Sequence, residues 1–296
     1  MNKPLKSIHN NRIGIIKNYS IGLISLLGFS TMLSASLSLN WAPNADTSVN
    51  GGGTWSTSAI SWQSGSDPRQ AWTNGSNAVL GRQGSATGPL LAPGGDYTIT
   101  IVGSVTAGQI RQLSGTGADL SQYTLTGGTI NLSDGGGIAG FRADQGTLTV
   151  NSDIVYTGSD TQRLEGNLLL GGNNNVTTWH LRTGTTTLNS VNALGGNGSL
   201  LVDANFATLA LNGFSVHAGR HIGFNDGRRS GGISNSSATA VTIAGNITTL
   251  ANNFADGSRT LSIAGPGVIR HTGAITGGSD VGAETIQILN GGKFIL

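Results

Sequence analysis

Four tryptophans, Trp41, Trp55, Trp62 and Trp72, fall close together in a chain that holds only five among its 296 residues. Exposed indoles at this density could stack on sugar rings and form a glycan contact. Buried ones could plug the open end of a stacked β structure, since each ring buries a large area. The need to close a terminal repeat favours the cap. A second candidate is His217-Ala-Gly-Arg-His221, followed by Asp226. Two histidines four apart share a face on a strand but lie roughly 13 Å apart, too far to hold one metal. The carboxylates form a third candidate. They are sparse, never adjacent, and mostly flanked by Gly or Asn, where Asp serves turns. Arg142 to Asp144 and Asp226 to Arg229 are the close acid–base mixtures, and they read as surface turn pairs. Gly277-Gly278-Ser279-Asp280 is a poor match to a calcium-binding nonapeptide, and no serine-hydrolase or phosphate-loop motif is present. The expectation is therefore no catalytic residue, no metal and no cofactor. Six Asn-x-Ser/Thr sequons, beginning with Asn74, are what chance supplies in a chain this rich in Asn, Ser and Thr.

Composition sets the background. Gly supplies 48 residues, charged types only 10% and aromatics 5%, with no cysteine. Lack of Cys excludes disulfide scaffolds and thiolate metal centres. Four of the 16 bases, Lys3, Lys6, Arg12 and Lys17, precede every one of the 14 acids, so the chain from residue 37 carries a net charge of −2. A body without basic clusters in its sequence gives no footprint for nucleic acid.

Residues 1–36 read as a signal peptide. The basic start is followed by an uncharged apolar run, Ile21 to Leu33, and then by Ser34-Ala35-Ser36. The run is shorter than the roughly 20 residues needed to span a bilayer. Cleavage is expected near Ser36, with an uncleaved anchor as the alternative. Both place the body outside the cytoplasm.

The body reads as short strands. Alternating runs begin at Tyr97, Tyr123, Thr147, Thr186, Thr208, Val241, Thr260 and Thr285, and are separated by Gly and Asn clusters such as Gly127-Gly128 and Gly171-Gly172-Asn173. Thr and β-branched residues suit a pleated surface, and glycine supplies positive φ at turns. Several starts recur at a loose period near 19–26 residues, and a phrase recurs as text: TLTGGTINL at 124–132, TLALNGFSV at 208–216, TLSIAGPGV at 260–268 and TIQILNGGKF at 285–294. A strand-and-turn unit repeated at this length predicts an all-β parallel β-helix, or β-solenoid, of roughly nine coils. Each unit is too small to bury a core alone, and stacking buries a narrow apolar column. A β-sandwich or jelly roll is the alternative.

The opening, NWAPNADTSVNGGGTWSTSAISWQSGSDPRQAWTNGSNAVLG, leads to YTITIVGSVTAGQI and then YTLTGGTINL. Over residues 40–132 this resembles the autotransporter-associated β-strand repeat proteins, and by repeat style the likeness extends to 296. The resemblance implies an exported bacterial protein with a body like an autotransporter passenger β-helix, located at the cell surface or extracellularly and associated with the outer membrane. It departs from the family at Gly291 to Leu296, where no barrel-forming strands or sorting helix follow. The C-terminus is therefore expected to be truncated, with the translocator or anchor absent from this chain.

The sequence thus predicts a signal peptide over 1–36, a Trp-rich N-terminal cap with first strands over 37–95, and β-solenoid repeats over 96–296. The expected role is a non-enzymatic, structural or adhesive surface protein, with cell-surface or extracellular polysaccharide as a partner and no nucleic acid. The alternatives are a carbohydrate-binding protein, a polysaccharide lyase or glycoside hydrolase using acids such as Asp203 or Asp226, or a decayed fragment.

Overall fold

The computed structural model describes residues 37–43, 51–65, 67–81, 95–113, 121–133, 139–156, 158, 160–203, 207–225, 231–249, 259–277, 284–289 and 291–296. All belong to one compact unit, Ser34–Leu296. The expected signal peptide lies outside the described residues, as do Asp134, Asp226, Asp256 and Asp280. The described residues are all-β, with strands in a 22-stranded and a 3-stranded sheet and no helix.

Alternation of small polar and apolar residues along each strand turns one face inward. Gln122–Thr126, with sequence QYTLT, buries Tyr123 and Leu125 and leaves its other residues partly or fully exposed. Such a strand has a single apolar face and is stable only against a neighbour that continues it. The neighbours pair in parallel. Antiparallel pairing occurs among the described strands only where Ile60–Gln63 meets Ser38–Trp41 and Gln70–Ala71.

Two long parallel ladders result. In the first, Leu39, Ala78, Ile110, Phe141, Leu164, Leu181, Val202, Phe224 and Thr249 stand opposite one another in succession. From Phe141 onward the partners are 23, 17, 21, 22 and 25 positions apart. In the second ladder Tyr97, Tyr123, Leu148, Leu168, Thr186, Leu209, Ile233, Ile263 and Ile288 align in the same way. Shorter sets align Val105, Ile130 and Ile154, and, further along, Val241, Ile269 and Phe294. The buried members join one apolar cluster. At about 1.5–3 kcal/mol for each fully buried aliphatic or aromatic side chain, this column is the main favourable term.

Three strands, Gly140–Val150, Gln162–Leu170 and Thr178–Leu188, serve both ladders. Each must bend partway along, and each does so at a glycine in the left-handed region: Gly146 (φ 67°), Gly166 (φ 82°) and Gly184 (φ 75°). The bends at Gly166 and Gly184 leave no room for a side chain. A Cβ on Gly166 would lie 1.9 Å from the Ala143 carbonyl oxygen, and one on Gly184 would lie 2.4 Å from that of Gly166.

The strands anticipated from sequence are present at each of the eight starting positions. The repeated phrase marks one recurring turn, where Gly127, Gly213, Gly265 and Gly291 all take positive φ.

Candidate functional site

The bend shared by the three long strands brings charged residues together. Asp144, Glu165 and Thr183 each precede a bend glycine by one or two positions, and Arg142 and Arg182 come just before them. Arg111, Arg142 and Glu165 are direct ladder partners. Two arginines opposite each other repel, and Asp144 offsets this. Its Oδ2 accepts from Arg111 Nε at 2.7 Å and from Nη2 at 2.6 Å, while its Oδ1 accepts from Arg142 Nε. Glu165 lies 3.7 Å from both Arg142 Nη1 and Arg182 Nη1. The three arginine side chains are 36–42% exposed and the two carboxylates 17–19%. Pairs this open contribute at most about 1 kcal/mol each to stability.

Arg142, Asp144, Glu165 and Arg182 line a groove of about 540 Å³ together with Asn167, Thr183 and the bend glycines; Arg111, which holds Asp144, is not part of that lining. Two guanidinium groups and two carboxylates line it, so the charges of the lining balance. A fourth arginine, Arg163, sits two ladder positions from Glu165, opposite Gly140 and His180 and outside the groove lining. It is half-buried, and its side chain has no hydrogen-bond or ion-pair partner among the described residues. Both groove carboxylates are engaged by two arginines, Asp144 by Arg111 and Arg142 and Glu165 by Arg142 and Arg182.

Sequence reading found Arg142 and Asp144 as a local pair but not Arg111, Glu165 or Arg182. The shared text is visible in retrospect: RADQG at 142–146, RLEG at 163–166 and RTG at 182–184 each run from an arginine to a bend glycine.

The tryptophans occupy the first strands. Trp41, Trp55 and Trp62 are fully buried and Trp72 is 4% exposed. Their rings meet edge-on or tilted, with centroids 4.6–5.1 Å apart. Trp41 Nε1 donates to the Gly51 carbonyl at 2.9 Å, and Trp72 Nε1 to that of Thr106 at 3.1 Å. Stacking on a sugar requires an exposed indole face, and none of the four has one. Gly53 is held small by this packing, because a Cβ there would lie 3.2 Å from the Trp41 ring.

The histidine segment separates. His217 contacts Asn192 Oδ1 at 3.0 Å, whereas His221 Nδ1 accepts from the Asn246 backbone N–H at 3.1 Å. Asp226 lies outside the described residues, within which no three His, Cys, Asp or Glu gather closely enough to share a metal.

Between the two histidines sits Arg220, fully buried. Its Nη1 donates to the carbonyls of Thr177 (3.0 Å) and Ser199 (3.1 Å), and its Nη2 to those of Val176 (2.8 Å) and Leu194. Desolvation lowers its pKa from the usual arginine range to about 10. The guanidinium therefore stays charged at physiological pH, where the whole desolvation cost is present. Its contribution makes stability rise with pH only above about 10 and below the usual arginine pKa, where the folded state releases the proton first. Sequence reading passed over Arg220 because its acceptors are all backbone oxygens and leave no trace in residue type.

Comparison of the chain with protein-family models, with curated proteins and with solved structures finds no match.

Proposed function

We propose that this chain is an exported, passenger-like surface protein with a structural or adhesive role and no catalytic activity, its body coiled as a parallel β-solenoid. The observation that carries the reading is the parallel pairing along both ladders, with partners 17 to 25 residues apart from Phe141 onward in the first and 18 to 30 apart from Leu148 onward in the second. Pairing at that interval is what successive coils of one chain produce. The buried tryptophan cluster fits the cap such a body needs at its first coil. The basic-then-apolar leader supports export, and the autotransporter-associated repeat resemblance supports the surface role.

Brief protease treatment of intact source cells, with mass mapping of the released peptides, tests this. Release of peptides from 41–296 before lysis is the expected result. Recovery of those peptides only from the lysed cell interior overturns it.

A further inference from the structure

We propose that the outward face of the second ladder is a contact surface for a second copy of this chain, the two faces packing together about a two-fold axis.

Three observations carry it. First, the face is built from small, uncharged side chains. Behind it lie the buried residues of the ladder, and the residues alternating with them point outward. One outward row runs Thr98, Thr124, Thr149, Leu169, Thr187, Ala210, Ser234 and Ala264, each opposite the next. The row beside it holds Thr147, Asn167, Thr185, Thr208, Gly232 and Ser262, with Gln122 and, at the far edge, Asp96 extending it. Asp96 apart, neither row holds a charge. The outward side of the first ladder, by contrast, carries Arg111, Arg142, Arg163 and Glu165, and the shorter sets carry Asp153, Arg270 and Lys293. A charged face turned onto its own copy sets like charges close together, which is costly. The second-ladder face avoids that cost.

Second, Leu169 stands near the middle of its row, the one large apolar side chain there, with Thr149 and Thr187 opposite it on either side. A two-fold axis along the row sets Leu169 against the same residue of the second copy. The small side chains around it let the two faces approach, which gives the contact an apolar centre within a polar surround.

Third, the area suffices. Eight strands about 4.8 Å apart span roughly 35 Å, and two rows of side chains span roughly 15 Å, so about 500 Å² is covered on each copy and about 1,000 Å² in all. That lies at the lower edge of specific interfaces, so the expected dimer is reversible rather than obligate.

The test is sedimentation equilibrium on residues 37–296, which fall within the compact unit Ser34–Leu296. All samples carry Ile288→Thr, which weakens association through the open end of the ladder. A reversible dimer with a micromolar Kd is the expected result. Leu169→Arg should raise that Kd at least tenfold. Leu201→Arg changes the matching outward leucine of the first ladder, opposite His180 and Gly223, and should leave it unchanged. Circular dichroism checks each fold, and Thr187→Arg takes the place of Leu169→Arg if that variant does not fold. A protein that stays monomeric at every concentration overturns the proposal and leaves the face to another occupant. So does an unchanged Kd in the folded face variant, or an equal loss in Leu201→Arg.

Discussion

The two ends of the ladders are finished differently. At the first, the outer edge of Ser38–Trp41 is covered by Ile60–Gln63 running antiparallel, and Gln70–Ala71 covers that strand in turn. Behind this edge four indoles pack against one another. At the other, Ile275–Thr276, Glu284–Ile288 and Lys293–Ile295 each pair on one side only among the described residues. Their apolar side chains Ile275, Ile286, Ile288 and Ile295 are 39–53% exposed. Reversing strand direction closes the first ladder here, whereas the first strand of the second, Gly53–Trp55, pairs in parallel and on one side only among the described residues. An antiparallel strand satisfies the edge but cannot pass the parallel register onward, so pairing stops there. An edge left in register still offers N–H and C=O groups to another strand.

The contrast can be tested by substitution. Trp62→Ala removes the ring that touches three others, and it is expected to lower stability by about 3–5 kcal/mol in denaturant titration. A loss below about 1 kcal/mol would show that the indole cluster does not hold the closed end. Gly166→Ala serves as a reference between the ends. With its positive φ and the Ala143 carbonyl in the way, it should cost about 2–3 kcal/mol. Thr186→Val should raise the unfolding free energy by about 1 kcal/mol. The Thr186 hydroxyl is buried between Leu168 and Leu209 and has no hydrogen-bond partner among the described residues. Ile288→Thr at the open end should change stability by less than about 0.5 kcal/mol. It should, however, reduce concentration-dependent self-association measured by sedimentation. If Ile288→Thr destabilises as much as Trp62→Ala, the two ends are equivalent and the comparison fails.

Much of the strand pattern was readable because Thr-Leu-Thr alternation encodes a one-faced strand directly. The recurring phrase was readable because one turn reuses a left-handed glycine at Gly127, Gly213, Gly265 and Gly291. The groove was not readable. Its residues, and the Arg111 that holds Asp144, come together through strand pairing at intervals of 31, 23 and 17 or 18 positions, from Arg111 to Arg142, to Glu165, to Arg182 or Thr183. A search for a single period aligns none of them. The tryptophans were legible as a cluster, but whether their faces were open depended on how the strands that carry them pair, which residue type does not record.

Arg220 has a mechanical consequence. It ties its own strand, Gly219–Asn225, to carbonyls at 176–177 and at 194–199. Pulled from its C-terminus, a coiled chain would peel one coil at a time, each releasing roughly 60–90 Å of extended chain for 17–25 residues. On reaching Arg220, four bonds spanning three coils would have to break together. A force trace should then show one peak taller than those before it, and this rivet would limit how far a surface stalk unravels under shear.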